Sequence, residues 1–104
     1  MSNTARQIIP EWLPEPKTVF LKCDILPRHE EEEVTVILSV SGRRYAISMQ
    51  ENLVDRHSKC FEAMIIAKVD GGFIVDLPSQ TLLQGSRLFI PTDELARLSV
   101  KVPA

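Results

Sequence analysis

Four side chains in this sequence are suited to bind a soft metal or to act as nucleophiles, and they fall into two pairs. Cys23 is followed by His29, and His57 precedes Cys60. The spacing of the second pair lets one turn present both side chains to a tetrahedral metal, so the four residues form a candidate zinc or thiol site. Cys23, however, alternates with apolar residues along a predicted strand, where a free cysteine commonly serves as a small core side chain. The sequence therefore favours two reduced thiols without a metal, with Cys23 in the core, and zinc is an alternative.

The loop around Cys60 also offers a nucleophile and a base. His57 and Asp55 lie close to Cys60 in the sequence, and a thiolate beside a histidine is a known nucleophile. All three residues lie on one predicted loop, which is a poor scaffold for a catalytic triad. The chain has no G-x-S-x-G elbow, no glycine-rich phosphate loop and no H-E-x-x-H motif. We therefore expect no catalytic residue, no enzyme activity and no cofactor.

Positive side chains form two local groups, one at a predicted hairpin turn and one in the middle loop. If the two loops met on one side, they would hold phosphates while a tyrosine stacked on a base. The chain has 12 basic and 14 acidic residues, so its overall charge gives no reason to bind nucleic acid. A regulatory nucleic-acid-binding protein is therefore an alternative that depends on this patch. The candidate residues are Arg43, Arg44, Tyr45, Arg56 and Lys59.

The N-terminal segment is rich in proline and contains the single tryptophan of the chain. Proline lacks a backbone donor and biases the preceding residue toward extended conformations, so an extended arm is expected over residues 1–16. A single domain follows over residues 17–104. The apolar side chains of the arm either close one end of the core or dock onto a second subunit. They are Ile8, Ile9, Trp12 and Leu13, and they are the candidate partner-binding residues.

Two hairpins are predicted from alternating apolar residues around glycine turns. Asp70-Gly71-Gly72 joins the apolar runs 61–69 and 73–77, and Ser41-Gly42-Arg43 joins the runs 34–40 and 45–49. The first strand of the former hairpin is apolar on both faces, which predicts a central, covered strand.

Further strands are predicted over residues 17–26 and 87–90. Asn52 is expected to cap a short helical turn that carries Leu53 and Val54 inward, and Thr92 is expected to cap a helix of two turns. Together these signals predict a mainly β fold: a small antiparallel barrel or rolled sheet of about six strands with one or two short helices.

Function is expected to follow from contact with another protein. The sequence has neither a secretory signal nor an apolar run long enough to span a membrane, which predicts a cytoplasmic location. Small barrels protect their strand edges by pairing or covering them, and a second subunit does this readily. We therefore expect a non-catalytic binding or adaptor module that associates with itself as a homodimer.

Overall fold

The computed structural model describes residues 9–27, 32–81 and 85–100, which form eight antiparallel strands and one helix. A 3-10 turn, Glu51–Leu53, connects two of the strands, and α1 is Thr92–Leu98. The strands are β1 (Glu11–Lys22), β2 (Asp24–Ile25), β3 (Glu33–Val40), β4 (Arg43–Gln50), β5 (Val54–Asp55), β6 (Cys60–Val69), β7 (Gly72–Thr81) and β8 (Gly85–Pro91).

The strands form two antiparallel sheets that are joined at β7. The first sheet has the order β1-β6-β7-β8, with β5 also paired to β6. The second has the order β4-β3-β2, and it joins the first where Ile47 of β4 pairs with Thr81 of β7. The prediction of a mainly antiparallel β fold with short helices is confirmed. The sheet does not close on itself, so it is an open, rolled arrangement rather than a closed barrel.

The core lies between the inner faces of the two sheets, and α1 closes one end of it. Leu95 and Leu98 of α1 are buried, as the sequence predicts. On β3 the period of two is strict, because one face is buried while the other is half-buried or exposed, and β4 repeats it only around Ile47 and Met49. The largest fully buried side chains are Phe61, Leu21, Leu38, Ile47 and Ile90.

The β6–β7 hairpin is central to the first sheet, since β6 pairs with β1 on one edge and with β7 on the other. The register shifts between Ile65 and Ala67, so Ile66 is a bulged residue. This bulge explains why neighbouring apolar residues occur at a point where strict alternation would place a polar one. The predicted hairpin is confirmed, with Gly71 at φ +86° in its turn.

Helix α1 is fastened to the turn between β3 and β4. Ser41 and Gly42 both have positive φ, as a tight two-residue hairpin turn requires. The Ser41 amide donates to Glu94 Oε1 at 2.7 Å, and Arg97 donates to the Ser39 carbonyl at 3.0 Å. Arg97 also donates to Glu94 Oε1 at 2.9 Å. These contacts hold the helix over the open end of the core.

Two predicted helix caps are wrong. Gln50 is the N-cap of the 3-10 turn, without a side-chain bond, and Asn52 lies inside the turn. Val54 is buried, but Leu53 is 40% exposed rather than turned inward. The N-cap of α1 is a proline rather than Thr92, and the Thr92 hydroxyl donates to the Gly71 carbonyl at 3.3 Å. In both cases tertiary contacts, rather than local capping, fix the start of the element.

The two described residues that follow α1 cover part of one edge of β1. The C-terminal segment pairs with it, because Ser99 forms a bridge with Leu21 and the Val100 amide donates to the Phe20 carbonyl at 2.8 Å. The predicted arm overlaps β1, since residues 11–16 are the first half of this strand and its first eight residues lie outside the described part. Among the described residues, no helix is long and apolar enough to cross a bilayer.

Candidate functional site

One row of side chains crosses all four strands of the first sheet on its outer face. Trp12 of β1 is opposite Ala67 of β6, Ala67 is opposite Ile74 of β7, and Ile74 is opposite Phe89 of β8. Residues opposite each other in antiparallel strands share a face, and the neighbouring Val75 is buried on the inner side. We call Trp12, Ala67, Ile74 and Phe89 the aromatic row.

The aromatic row is apolar, and the aromatic residues at its two ends are open to solvent. Trp12 is 56% exposed and Phe89 is 44% exposed, so about half of each side chain faces solvent. Between them Ala67 is fully buried, and its small side chain leaves room for the larger neighbours on the same face. Two exposed aromatic residues at the two ends of one apolar row on a sheet are typical of a surface that a partner covers.

Arg87 lies in the next row of the same face and links two parts of it. Its guanidinium carbon is 5.6 Å from the centre of the Trp12 ring, within the range of a cation–π contact. Its Nε is 3.9 Å from Asp76 Oδ1, and the Ser86 hydroxyl donates to the same oxygen at 3.5 Å. The contact with Arg87 therefore biases the orientation of Trp12 before any partner binds.

A cavity of about 410 Å³ opens on the same face where β7 separates from β6. The β6–β7 pairing ends at Met64 and Asp76, and the β5–β6 pairing ends at Phe61. Glu62 and Ala63 therefore lie in a gap between two strands that share one edge of β6. We call this gap and its walls the fork groove. Its apolar walls include Phe20, Leu53, Met64 and Pro78.

The fork groove carries negative charge. Asp55, Glu62 and Asp76 line it, and no lysine or arginine is among the lining residues. Asp55 Oδ1 accepts the amides of His57 and Ser58 at 3.0 and 3.1 Å. Among the described residues Glu62 has neither a hydrogen bond nor an ion pair, so its carboxylate is available to a positive group from outside.

The candidate partner-binding residues of the arm differ in their placement. Ile9 is 77% exposed and Trp12 is in the aromatic row, so neither closes the core. Leu13 is half-buried and lies in a stretch of β1 where the register with β6 shifts. Ile8 lies outside the described residues. Of the two interpretations of the arm, the exposure of Ile9 and Trp12 favours docking.

The candidate zinc or thiol residues are only partly brought together. Cys23 and Cys60 are buried free thiols at the meeting of β1 and β6, where the Cys23 amide donates to the Lys59 carbonyl at 2.9 Å. His57 is exposed, and His29 lies outside the described residues. Within the described ranges, no three His, Cys, Asp or Glu side chains are grouped so that they could hold a metal.

The environment of the thiols opposes ionisation. Burial, followed by the negative charges of Cys60 and Asp24, raises the pKa of Cys23 to about 12. Burial and then the charge of Asp55 raise the pKa of Cys60. A thiol must lose its proton to attack a substrate or bind a metal, so both cysteines are suited to packing rather than to chemistry. Asp55 binds the His57 amide rather than its ring, so these three residues do not form a triad.

The candidate nucleic-acid residues do not converge into one patch. The first basic group is at the start of β4, and the second follows the end of this strand. The eight residues of β4, which each rise about 3.3 Å, separate the two ends by roughly 25 Å. Arg56 is also paired with Glu51 at 3.3 Å. The nucleic-acid alternative requires the two basic groups to meet in one patch. It stays a prediction that their placement does not support. The residues concerned are Arg43, Arg44 and Tyr45 in the first group and Arg56 and Lys59 in the second.

Sequence reasoning missed Ile74, Phe89 and Arg87. Phe89 stands between Leu88 and Ile90 on a short strand, and hydrophobicity alone would place any of the three in the core. A detectable signal exists, because Phe89 shares a strand face with Arg87 while Leu88 and Ile90 occupy the other. That alternation predicts a polar and therefore solvent-facing side for Phe89.

No protein-family model, curated protein or solved structure matches this chain. The functional proposal therefore depends on the outer face itself. On that face the aromatic row and Arg87 lie on β1, β6, β7 and β8, and the fork groove opens between β5, β6 and β7.

Proposed function

We propose that this chain is a non-catalytic binding module that acts through protein–protein contact and associates with itself through the outer face of its first sheet. The observation that carries the proposal is the exposed pair of aromatic residues, Trp12 and Phe89, beside Arg87. Tryptophan and arginine are the residues most often found at the energetic centre of protein interfaces. The proposal retains the cytoplasmic location expected from the sequence.

The physical state of the surface supports binding without a large rearrangement. The aromatic row is on paired strands rather than on a loop, so little backbone entropy is lost when a partner covers it. Rigid aromatic side chains also lose few rotamers on binding, and Arg87 already restricts Trp12. The surface therefore meets the requirements of a preorganised interface.

The test is the mass of the wild-type chain in solution over micromolar concentrations, measured by light scattering or sedimentation equilibrium. We expect a mass that rises from one chain to two as the concentration increases. Because Trp12 is the only tryptophan, its emission should also shift to the blue over the same concentration range. A mass of one chain throughout would refute self-association.

A pair of variants locates the contact. Truncation of a central interface tryptophan typically costs about 2 kcal/mol, so Trp12→Ala should raise the dimer Kd by about 30-fold. Leu26→Ala is the matched control, since Leu26 is an exposed apolar residue at the end of β2 in the second sheet. Equal effects of the two substitutions would mean that the dimer forms elsewhere.

A further inference from the structure

The outer face carries opposite charges in two places, which makes it complementary to itself. Arg87 of β8 is positive, its side chain is 62% exposed, and its ion pair with Asp76 is long, at 3.9 Å. Glu62 of β6 is negative, exposed, and without a partner among the described residues. A face with one exposed, weakly paired positive group and one unpaired negative group can meet a second copy of itself with both charges paired.

We propose that the fork groove of one copy receives Arg87 of a second copy, with Arg87 opposite Glu62 in two symmetric contacts. This inference rests on the proposed self-association and names its geometry and its specificity. The occupant of the groove is a second copy because that copy presents a guanidinium on the same face, beside aromatic side chains that match the apolar walls of the groove.

The spacing of the strands permits this arrangement. Arg87 and Glu62 are two strands and one row apart, so strand spacings of about 4.8 Å and rises of about 3.3 Å per residue separate their backbones by roughly 12 Å. A two-fold axis between two facing sheets, perpendicular to the line joining these residues at its midpoint, places each Arg87 over the other copy's Glu62. The same axis carries Phe89 toward β1 of the other copy, near Phe20.

The area of the face is sufficient for a specific, reversible dimer. Four strands spaced by about 4.8 Å and ten residues that each rise about 3.3 Å give a face on the order of 600 Å². Two copies then bury on the order of 1,200 Å² in total, which is at the lower end of specific interfaces. In an interface of that size, two charge contacts are expected to contribute much of the discrimination between partners.

Charge reversal tests the pairing directly. Arg87→Glu places like charges opposite each other in both contacts of a homodimer, and so does Glu62→Arg. Each variant alone should therefore raise the Kd by about tenfold or more. Mixed in equal amounts, the two variants have opposite charges at both contacts of the heterodimer, so the mixture should associate within a few-fold of the wild-type chain. Sedimentation equilibrium of each variant and of the mixture gives the three constants.

Arg44→Glu is the matched control, because Arg44 is an exposed arginine of the second sheet, on β4. Arg44→Glu alone should dimerise with the wild-type constant, and its heterodimer with Glu62→Arg keeps one like-charge contact, so that heterodimer should stay weaker than the wild-type dimer. Recovery in the first mixture also shows that both variants are folded. If the wild-type chain dimerises but the mixture of the two charge-reversed variants binds no better than either variant alone, the Arg87–Glu62 pairing is overturned. Self-association then stands. A monomeric wild-type chain would overturn both proposals.

Discussion

Replacing Gly72 with alanine should destabilise the protein more than the same replacement at the neighbouring Gly71. A Cβ at position 72 would overlap the Ile90 carbonyl oxygen and lie 2.8 Å from Pro91 Cα. It would also lie 2.7 Å from Phe89 Cε1. The first two atoms are backbone of β8, so the methyl group fits only if β7 and β8 move apart.

The cost is estimated from the contacts that must yield. Inserting one methyl into a well-packed site typically costs 1–3 kcal/mol, and weakening one ladder hydrogen bond adds about 1 kcal/mol, giving about 3 kcal/mol for Gly72→Ala. At Gly71 nothing lies within 4 Å of the added methyl, but φ is +86°. Gly71→Ala should therefore cost only the backbone strain, about 1 kcal/mol.

Urea unfolding of both variants measures these two losses, provided that the denaturant slope stays constant. A third variant separates ring from backbone contacts: Phe89→Ala in the Gly72→Ala background removes the aromatic clash only. We expect no recovery of the free energy of unfolding from it. A Gly72→Ala variant as stable as Gly71→Ala, or one rescued by removing the Phe89 ring, would refute the steric reasoning.

Two other predictions concern ionisable groups. The hydrogen bond from Arg97, and then that from the Ser41 amide, lower the pKa of Glu94 from 4.5 to about 2. A carboxyl with a lowered pKa in the folded state contributes stability above its unfolded pKa and loses it as the pH falls toward 2. Glu94→Gln should therefore lower the urea midpoint at pH 7, and the free energy of unfolding should fall less steeply between pH 5 and 2 than in the wild-type chain. An unchanged pH dependence would contradict the role of Glu94. The second prediction is that Cys23 and Cys60 react slowly with a thiol reagent at pH 8 in the folded protein, because burial raises both pKa values. Both should react rapidly in urea. A thiol that reacts rapidly in the native protein would contradict this prediction and support the thiol site.

Local patterns predicted the elements whose signals are carried by neighbours in the sequence. The turn at Ser41-Gly42 needs positive φ at both residues, and β3, which precedes it, alternates strictly. The glycines after Asp70 were equally clear as a turn. They have different roles, however: Gly71 supplies the positive φ, and Gly72 makes room for β8. The second role depends on a strand more than ten residues away and has no local signal.

The sequence by itself determined a mainly β chain with its hairpin turns, the apolar alternation of its strands and the apolar character of its N-terminal segment. These properties follow from backbone sterics and from the period of two along a strand. The tertiary structure alone decided that Trp12, Ile74 and Phe89 share one open face, that Arg87 reaches the tryptophan ring, and that the two basic groups lie apart at the ends of β4. The physical reason is register: a bulge at Ile66 and a shift after Trp12 set which side chains meet across strands, and pairing between distant segments fixes both.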